Sequence, residues 1–412
     1  MTSSARRRPP ARPTVAWLVA LAAALAAVAA GCAGQDVVAI DDLTDGGAPL
    51  YCQGNGPPIL VGDGITVGEG NGSSDDVCSG EIAVRTFRHA LCTCEGYVTS
   101  TRLDTDSFDS AAGPYTPGGV AGPVGIDGVL QTSAALAIGG DLTVAGGGGA
   151  ALGGDLDVVG DLAVGGALGT AIAVTVGGDA AVAGSIDLAA LTVAGTLTVP
   201  AGETIGAATL TTGATVRAPV TVEPPCACAP DDLIDIADFV LAHRGDNEDA
   251  LLGLTPDRLT DYVGDTTLVL PCGRYYLGPV RGQGALTLRV TGRVAILVDG
   301  DVSLEAPLTV ILDGDDAELD LLIGGLLGST DAIVAGDPAR PASTRIYVGG
   351  DGVINLAGGS TLAANLYAPR AAVSLSGGAT VHGSLFVRRL EQSAPVTIHY
   401  DVDVLRADVG CF

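Results

Sequence analysis

Lysine is absent from this chain; all twenty of its basic residues are Arg, set against 47 Asp and Glu. Without Lys, no glycine-rich stretch completes a phosphate-binding P-loop. A formal charge of −27 repels nucleic acid and anionic lipid headgroups, and no basic stripe offsets it. Such acidity serves the solubility of a surface protein. Aromatic residues are scarce, at 4% of 412, and the single Trp (Trp17) and single Met (Met1) both fall near the N-terminus. A globular core of this composition lacks bulky filling, whereas a solenoid stacks Leu, Val, Ile and Ala in a narrow interior. Outside the N-terminus no apolar run reaches the ~18–20 residues of a membrane-spanning helix. There is also no Gly-x-Ser-x-Gly nucleophile elbow and no His-Glu-x-x-His metal motif.

Glycine is plentiful instead, with 61 residues, about twice its usual share. The length suits two or three ordinary domains or one extended one. At the start, Arg6-Arg7-Arg8 and Arg12 precede the apolar stretch Val15–Ala30 and then Gly31-Cys32. A basic segment, a short apolar segment and small residues make a secretory signal over 1–31. The ending "AAGC" resembles the bacterial lipobox, with Ala29 where Leu is usual. That resemblance implies acylation of Cys32, membrane attachment through lipid, and residence in the cell envelope at the outer membrane. The other reading is ordinary cleavage after Ala29, which leaves Cys32 unmodified. Loss of 1–31 leaves 16 Arg against 47 acids, a net charge of −31.

Eight cysteines remain: Cys52, Cys78, Cys92, Cys94, Cys226, Cys228, Cys272 and Cys411. An even count in an exported chain argues for disulfides, with Cys52–Cys78 as one local pairing among the many connectivities open. The Cys-x-Cys pairs "LCTC" and "PCAC" raise soft-metal ligation, but zinc favours Cys-x2–4-Cys spacing, so no metal or cofactor is assigned.

Residues 32–50 read as a tether and 51–100 as a Cys-rich cap. From 101 to 222 a six-residue unit recurs, as in "DLTVAG" (141–146), "DLDVVG" (155–160) and "DLAVGG" (161–166). Apolar residues two apart, such as Leu142 and Val144, mark strands, and Gly marks corners. Three units make one three-sided coil. Residues 223–262 break the pattern: "PDDLIDIADFVLAHRG" has Asp at a helix start, apolar residues at 233, 236, 239 and 240, and Gly245 past the end. A second helical turn is expected after Thr255-Pro256. Strands return over 263–412, where "NLAGGSTLAANLYAPR" (355–370) repeats as "SLSGGATVHGSLFVRR" (374–389) after 19 residues. That period is one coil of a β-helix, so the predicted class is all-β: a parallel β-solenoid with a helical insertion and a disulfide-stapled N-terminal cap.

The stretches "CGRYYLGPV", "GRVAILVDGDVSL", 345–386 and "VTIHYD" resemble an uncharacterised bacterial surface domain of right-handed β-helix type. It is found in pilus-assembly-associated and other exported proteins. The Gly-Asp-Leu units also look like those of bactofilins, which are polymer-forming β-helical scaffolds. The resemblance implies no catalytic residues.

Asp-rich turns such as 313–316 invite calcium, yet Asp follows Gly-Gly directly here, as in Gly139-Gly140-Asp141, and Asp and Gly are ordinary turn residues. Arg244-Gly245-Asp246 falls at the expected helix end. The sharpest pair is His382 and His399, which align on adjacent rungs with Val381 and Ile398 pointing inward and both imidazoles outward. A plain stacking ladder is the favoured reading over a metal or catalytic site. Two function classes follow. One is a non-enzymatic, lipid-anchored surface scaffold, spacer or adhesin that contacts a surface polymer or itself. The alternative is a carbohydrate-active β-helix enzyme, which needs a groove with three or more convergent carboxylates.

Overall fold

The computed structural model describes residues 86–170 and 172–406, together with the backbone of a short strand at Asp36–Val38. Cys32, Cys52, Cys78 and Cys411, and with them the lipidation call and the Cys52–Cys78 pairing, lie outside the described residues.

The body from 86 onward is a parallel β-helix whose rungs have three faces. On face 1, Leu91–Thr93, Val124–Ile126, Leu142–Val144, Leu162–Val164 and Ala180–Val182 pair in succession. Face 2 begins with Tyr97–Thr99, Leu130–Thr132 and Ala150–Leu152. Face 3 carries Leu103–Phe108, Leu136–Ile138, Leu156–Val158 and Ala173–Val176. Every second residue points inward, as the alternation predicts: Leu142 and Val144 are buried while Thr143 between them is half-buried. Each such Leu removed from water contributes about 1.5–3 kcal/mol.

The corners explain the recurrent Gly-Asp. Asp141 Oδ1 accepts the backbone N–H of Asp161 at 2.8 Å, and Asp161 that of Asp179 at 2.7 Å. Asp179 in turn takes Thr196, and Asp301 takes Leu326. The glycine before each receiving position is required because a Cβ on Gly160, Gly178, Gly195 or Gly325 would overlap the carboxylate of the rung below. These aspartates are therefore rung-to-rung connectors.

The stacking order is not the chain order. On face 3, Thr266–Leu270, Leu286–Val290, Leu308–Leu312 and Ile333–Gly336 are followed by 361–363, 381–382 and Val396–Asp401. Val396–Asp401 then pairs in parallel with Leu103–Phe108, and on face 1 Leu385 lies beside Leu91. The later half of the chain thus stacks directly onto the first rung of the earlier half, and the last strand completes the coil, opened at Leu385, against which residues 91–108 lie. Asp401, fully buried, locks this seam by accepting backbone N–H groups from Ser110 (3.0 Å) and Ala342 (3.1 Å). Residues 91–108, on the boundary expected between cap and solenoid, are already rungs.

Having reached one end of the stack at Arg217, the chain must return to the other end to begin Thr266–Leu270. Residues 218–262 do so as a strap along face 1. The helical insertion belongs to this strap, with a helix at Ile236–Ala242, capped by the Asp235 carboxylate accepting from Asp238 N–H. A second helix occurs at Asp249–Leu252, earlier than the turn expected after Pro256, which is followed by turns only. Gly253, in the left-handed region, ends it.

Candidate functional site

Under the strap, the outward column of face 1 is apolar. Tyr276, Leu297, Leu322, Tyr347, Tyr367, Phe386, Cys92 and Gly125 occupy successive rungs. Tyr367 and Phe386 meet edge to face at 5.1 Å. The strap covers them in order. Ile234 N–H donates to the Tyr367 hydroxyl at 3.0 Å, Ile236, Phe239 and Val240 are buried, and Asp249 accepts from Tyr276 N–H. Pro225 lies against Gly125, where a Cβ would come within 3.0 Å of it. Beside this column runs a buried polar one in which Arg345 binds Asp320 at 2.7 Å and Ser384 donates to Asn365.

Two disulfides fasten the strap where the halves meet. Cys92 bonds Cys226 and Cys94 bonds Cys228. The two Cys-x-Cys pairs are thus each other's partners, and Cys272 is disulfide-bonded as well. Among the described residues, the grouping of three metal-type ligands is Asp127 with Cys226 and Cys228. Both sulfurs are consumed in disulfides, so no thiolate is offered to an ion. Asp127 accepts Cys226 N–H at 3.0 Å, while its partial burial pushes its carboxyl up to about 6. His89 stands 3.4 Å from the Cys92 sulfur, and burial, then the Arg88 cation, lowers it to about 4.

The histidine pair sits on face 3, in the register expected from sequence. Val381 pairs with Ile398 and both are buried; His382 pairs with His399 and both are half-buried on the outside. Their rings are 4.9 Å apart and tilted by 47°, so they do not stack flat. The next rung supplies Asp106, whose carboxylate contacts His399 Nδ1 at 2.6 Å and accepts from the Tyr115 hydroxyl at 2.6 Å. Tyr115 comes from the long loop after Leu103–Phe108, and its ring lies 4.0 Å from that of His399. Phe108 closes the cluster, 5.4 Å from Tyr115. Burial, then the neighbouring His399, lowers the pKa of His382, and its Nδ1 is buried with no partner. Burial, then the Asp106 hydrogen bond, raises that of the Tyr115 phenol. Chemically this is a Tyr–Asp–His chain that fixes one imidazole, with the tyrosine ring as its lid. Sequence reasoning found the two histidines but missed Asp106 and Tyr115, because they arrive from a stretch some 290 residues earlier across the seam.

The other motifs are engaged structurally. Asp246 of the Arg-Gly-Asp tripeptide binds Arg274 at 2.6 Å, and Asp313 of the acidic turn binds Arg289 at 2.7 Å. A cavity of about 720 Å³ on face 2 is lined by two carboxylates, Asp261 and Glu305, with Arg281.

Fold and geometry together define a strapped parallel β-helix. Within it, residues 229–406 match a family described as a domain of unknown function, DUF7305. The match starts in the strap and ends after the last rung, so the strap and the later half-stack it covers fall in one domain. No curated protein and no solved structure gives a match.

Proposed function

We propose that the protein is a non-enzymatic scaffold of the cell envelope, held to a membrane by lipid on Cys32, whose copies associate through one end of the β-helix. The observation that carries this reading is the terminal strand Ile205–Arg217. Among the described residues it pairs on one side only, with Ile186–Val199. Its other edge offers unpaired N–H and C=O groups, a template for strand addition. Leu210 occupies the inward column above the buried Leu191, yet is 42% exposed because no coil of the described residues lies above it. This strand carries no acid in a chain of charge −27, so two copies approach here without the repulsion that opposes contact elsewhere. A second copy also brings an edge with the same bends, related by a twofold axis.

Sedimentation of the exported protein tests the association. Concentration-dependent dimers that Leu210→Arg abolishes, with an unchanged melting temperature, support it; a monomer at every concentration refutes it. Cys32→Ala should move the protein from the membrane fraction to the soluble fraction. Continued membrane binding refutes the anchor.

A further inference from the structure

Apart from Asp261 and Tyr262, where the strap ends beside Gly282, face 2 is left uncovered by the strap, and both halves of the stack are hollowed along it. In the later half, a groove of about 720 Å³ runs over Arg281, Ser303, Gly328 and Asn355, with Gln283 at its side. Ser303 lies in register between Arg281 and Gly328. In the earlier half, a groove of about 580 Å³ is lined by Val98, Gln131, Ser133 and Thr170, among others, with no ionisable residue. Asn355 continues through Ser374 and Glu391 on the following rungs, and Gln392, next in sequence, lines the second groove.

Three observations mark this track as a binding surface. First, hydroxyl, amide and small side chains make up most of its lining in a strongly acidic protein: the earlier groove has no ionisable residue, and the later one has Asp261, Glu305 and Arg281. Second, Gln283, Asn355 and Gln131 spend no side-chain hydrogen bond on any described residue. The Tyr262 hydroxyl, in the groove with Gln283 and Asn355, is buried without a hydrogen-bond partner among the described residues. Third, the two non-glycine residues with positive φ among those described are Asp261 (+60°) and Thr170 (+111°), and one lines each groove. Strained backbone of this kind is retained where a site requires it.

We infer that face 2 binds a linear, neutral polysaccharide lying along the helix axis. Polar groups such as Ser303, Asn355, Ser374 and Gln131, set on rungs ~4.8 Å apart, suit a ligand that repeats hydroxyls at a similar rise. An extended β-1,4-linked hexose chain does so. Exposed Val98 and Val263 give the apolar contact that sugar ring faces need. The excess of acid turns away polyanions. This inference is independent of the copy-to-copy association, which uses a different surface.

The test is calorimetric titration of the exported, disulfide-intact protein with a β-1,4-linked glucose hexamer, its N-acetylglucosamine counterpart and polygalacturonate. At least one neutral hexamer should bind, and about tenfold more tightly than its dimer. A Cβ on Gly328 would meet only the Val302 carbonyl at 3.7 Å, so Gly328→Trp fills the first groove without disturbing the rung. It should weaken binding about tenfold or more at an unchanged melting temperature, and Asn355→Ala should weaken it in the same direction. Failure of both hexamers to bind, preference for polygalacturonate, or wild-type affinity in both variants overturns the inference.

Discussion

Disulfides Cys92–Cys226 and Cys94–Cys228 each span 134 residues, and they run side by side. In the loop-closure model, closing a loop of that length removes entropy from the unfolded chain worth about 5 kcal/mol at 25 °C. The second bridge does not repeat that gain. With one bridge in place, the other closes a ring of about six residues, worth about 2 kcal/mol on the same relation. Deleting either bridge should therefore cost about 2 kcal/mol and deleting both about 7, some 3 kcal/mol beyond the sum of the single losses. Guanidinium unfolding of Cys94→Ala/Cys228→Ala, Cys92→Ala/Cys226→Ala and the quadruple variant measures all three. Cys92 and Cys226 are buried, so that pair adds a cavity cost, and the half-buried Cys94–Cys228 pair gives the cleaner value. If the quadruple variant loses only the sum of the two double variants, the strap is not held by loop closure.

Leu375, 1% exposed, points into the coil, so Leu375→Asp should abolish cooperative thermal unfolding. His382→Ala should cost only about 1 kcal/mol through lost contacts with Tyr115 and Phe108, and leave metal content unchanged by mass spectrometry. Gly178→Ala should lower the melting temperature by displacing the Asp161 carboxylate, and adding Asp161→Ala should restore part of the loss. The Asp127 carboxyl is raised to about 6 in the fold, so the folded state holds its proton more tightly than the unfolded one. Its contribution is present below the unfolded value near 4 and is lost as pH rises to about 6. Asp127→Asn keeps an oxygen for Cys226 N–H and should remove that decline, as chemical denaturation across pH 4–7 would register.

Much of the solenoid is written locally. Leu142 and Val144, the 19-residue repeat and the alignment of His382 with His399 carry strand period and rung register, since neighbouring coils are neighbours in sequence. What escapes local reading is long-range closure. Nothing near Leu91 says that Leu385 lies beside it, or near Cys92 that Cys226 is its partner. One signal was present: the runs 294–298 and 346–348 are apolar at consecutive positions, the mark of a sheet covered on both sides. The strap is what covers them. The shielding of His382 by Tyr115 had no such signal, because a lone Tyr in a Gly- and Pro-rich loop has no periodicity.

The seam has a consequence for how the molecule is made. Leu91–Thr93 leaves the ribosome early, but its neighbour on one side is 385–387, nearly three hundred residues later. The early half therefore waits with a bare edge through synthesis, and the coil that seats against it is completed only when Val396–Asp401 emerges. Contacts of such sequence separation form slowly and leave an association-prone species exposed meanwhile. A chain ended before residue 396 would lose more than one strand. It would strip the Asp401 clasp and the rung that seats one half on the other. Quality control of this protein thus rests on its last dozen described residues, and premature termination there should be as damaging as a lesion in the middle of the core.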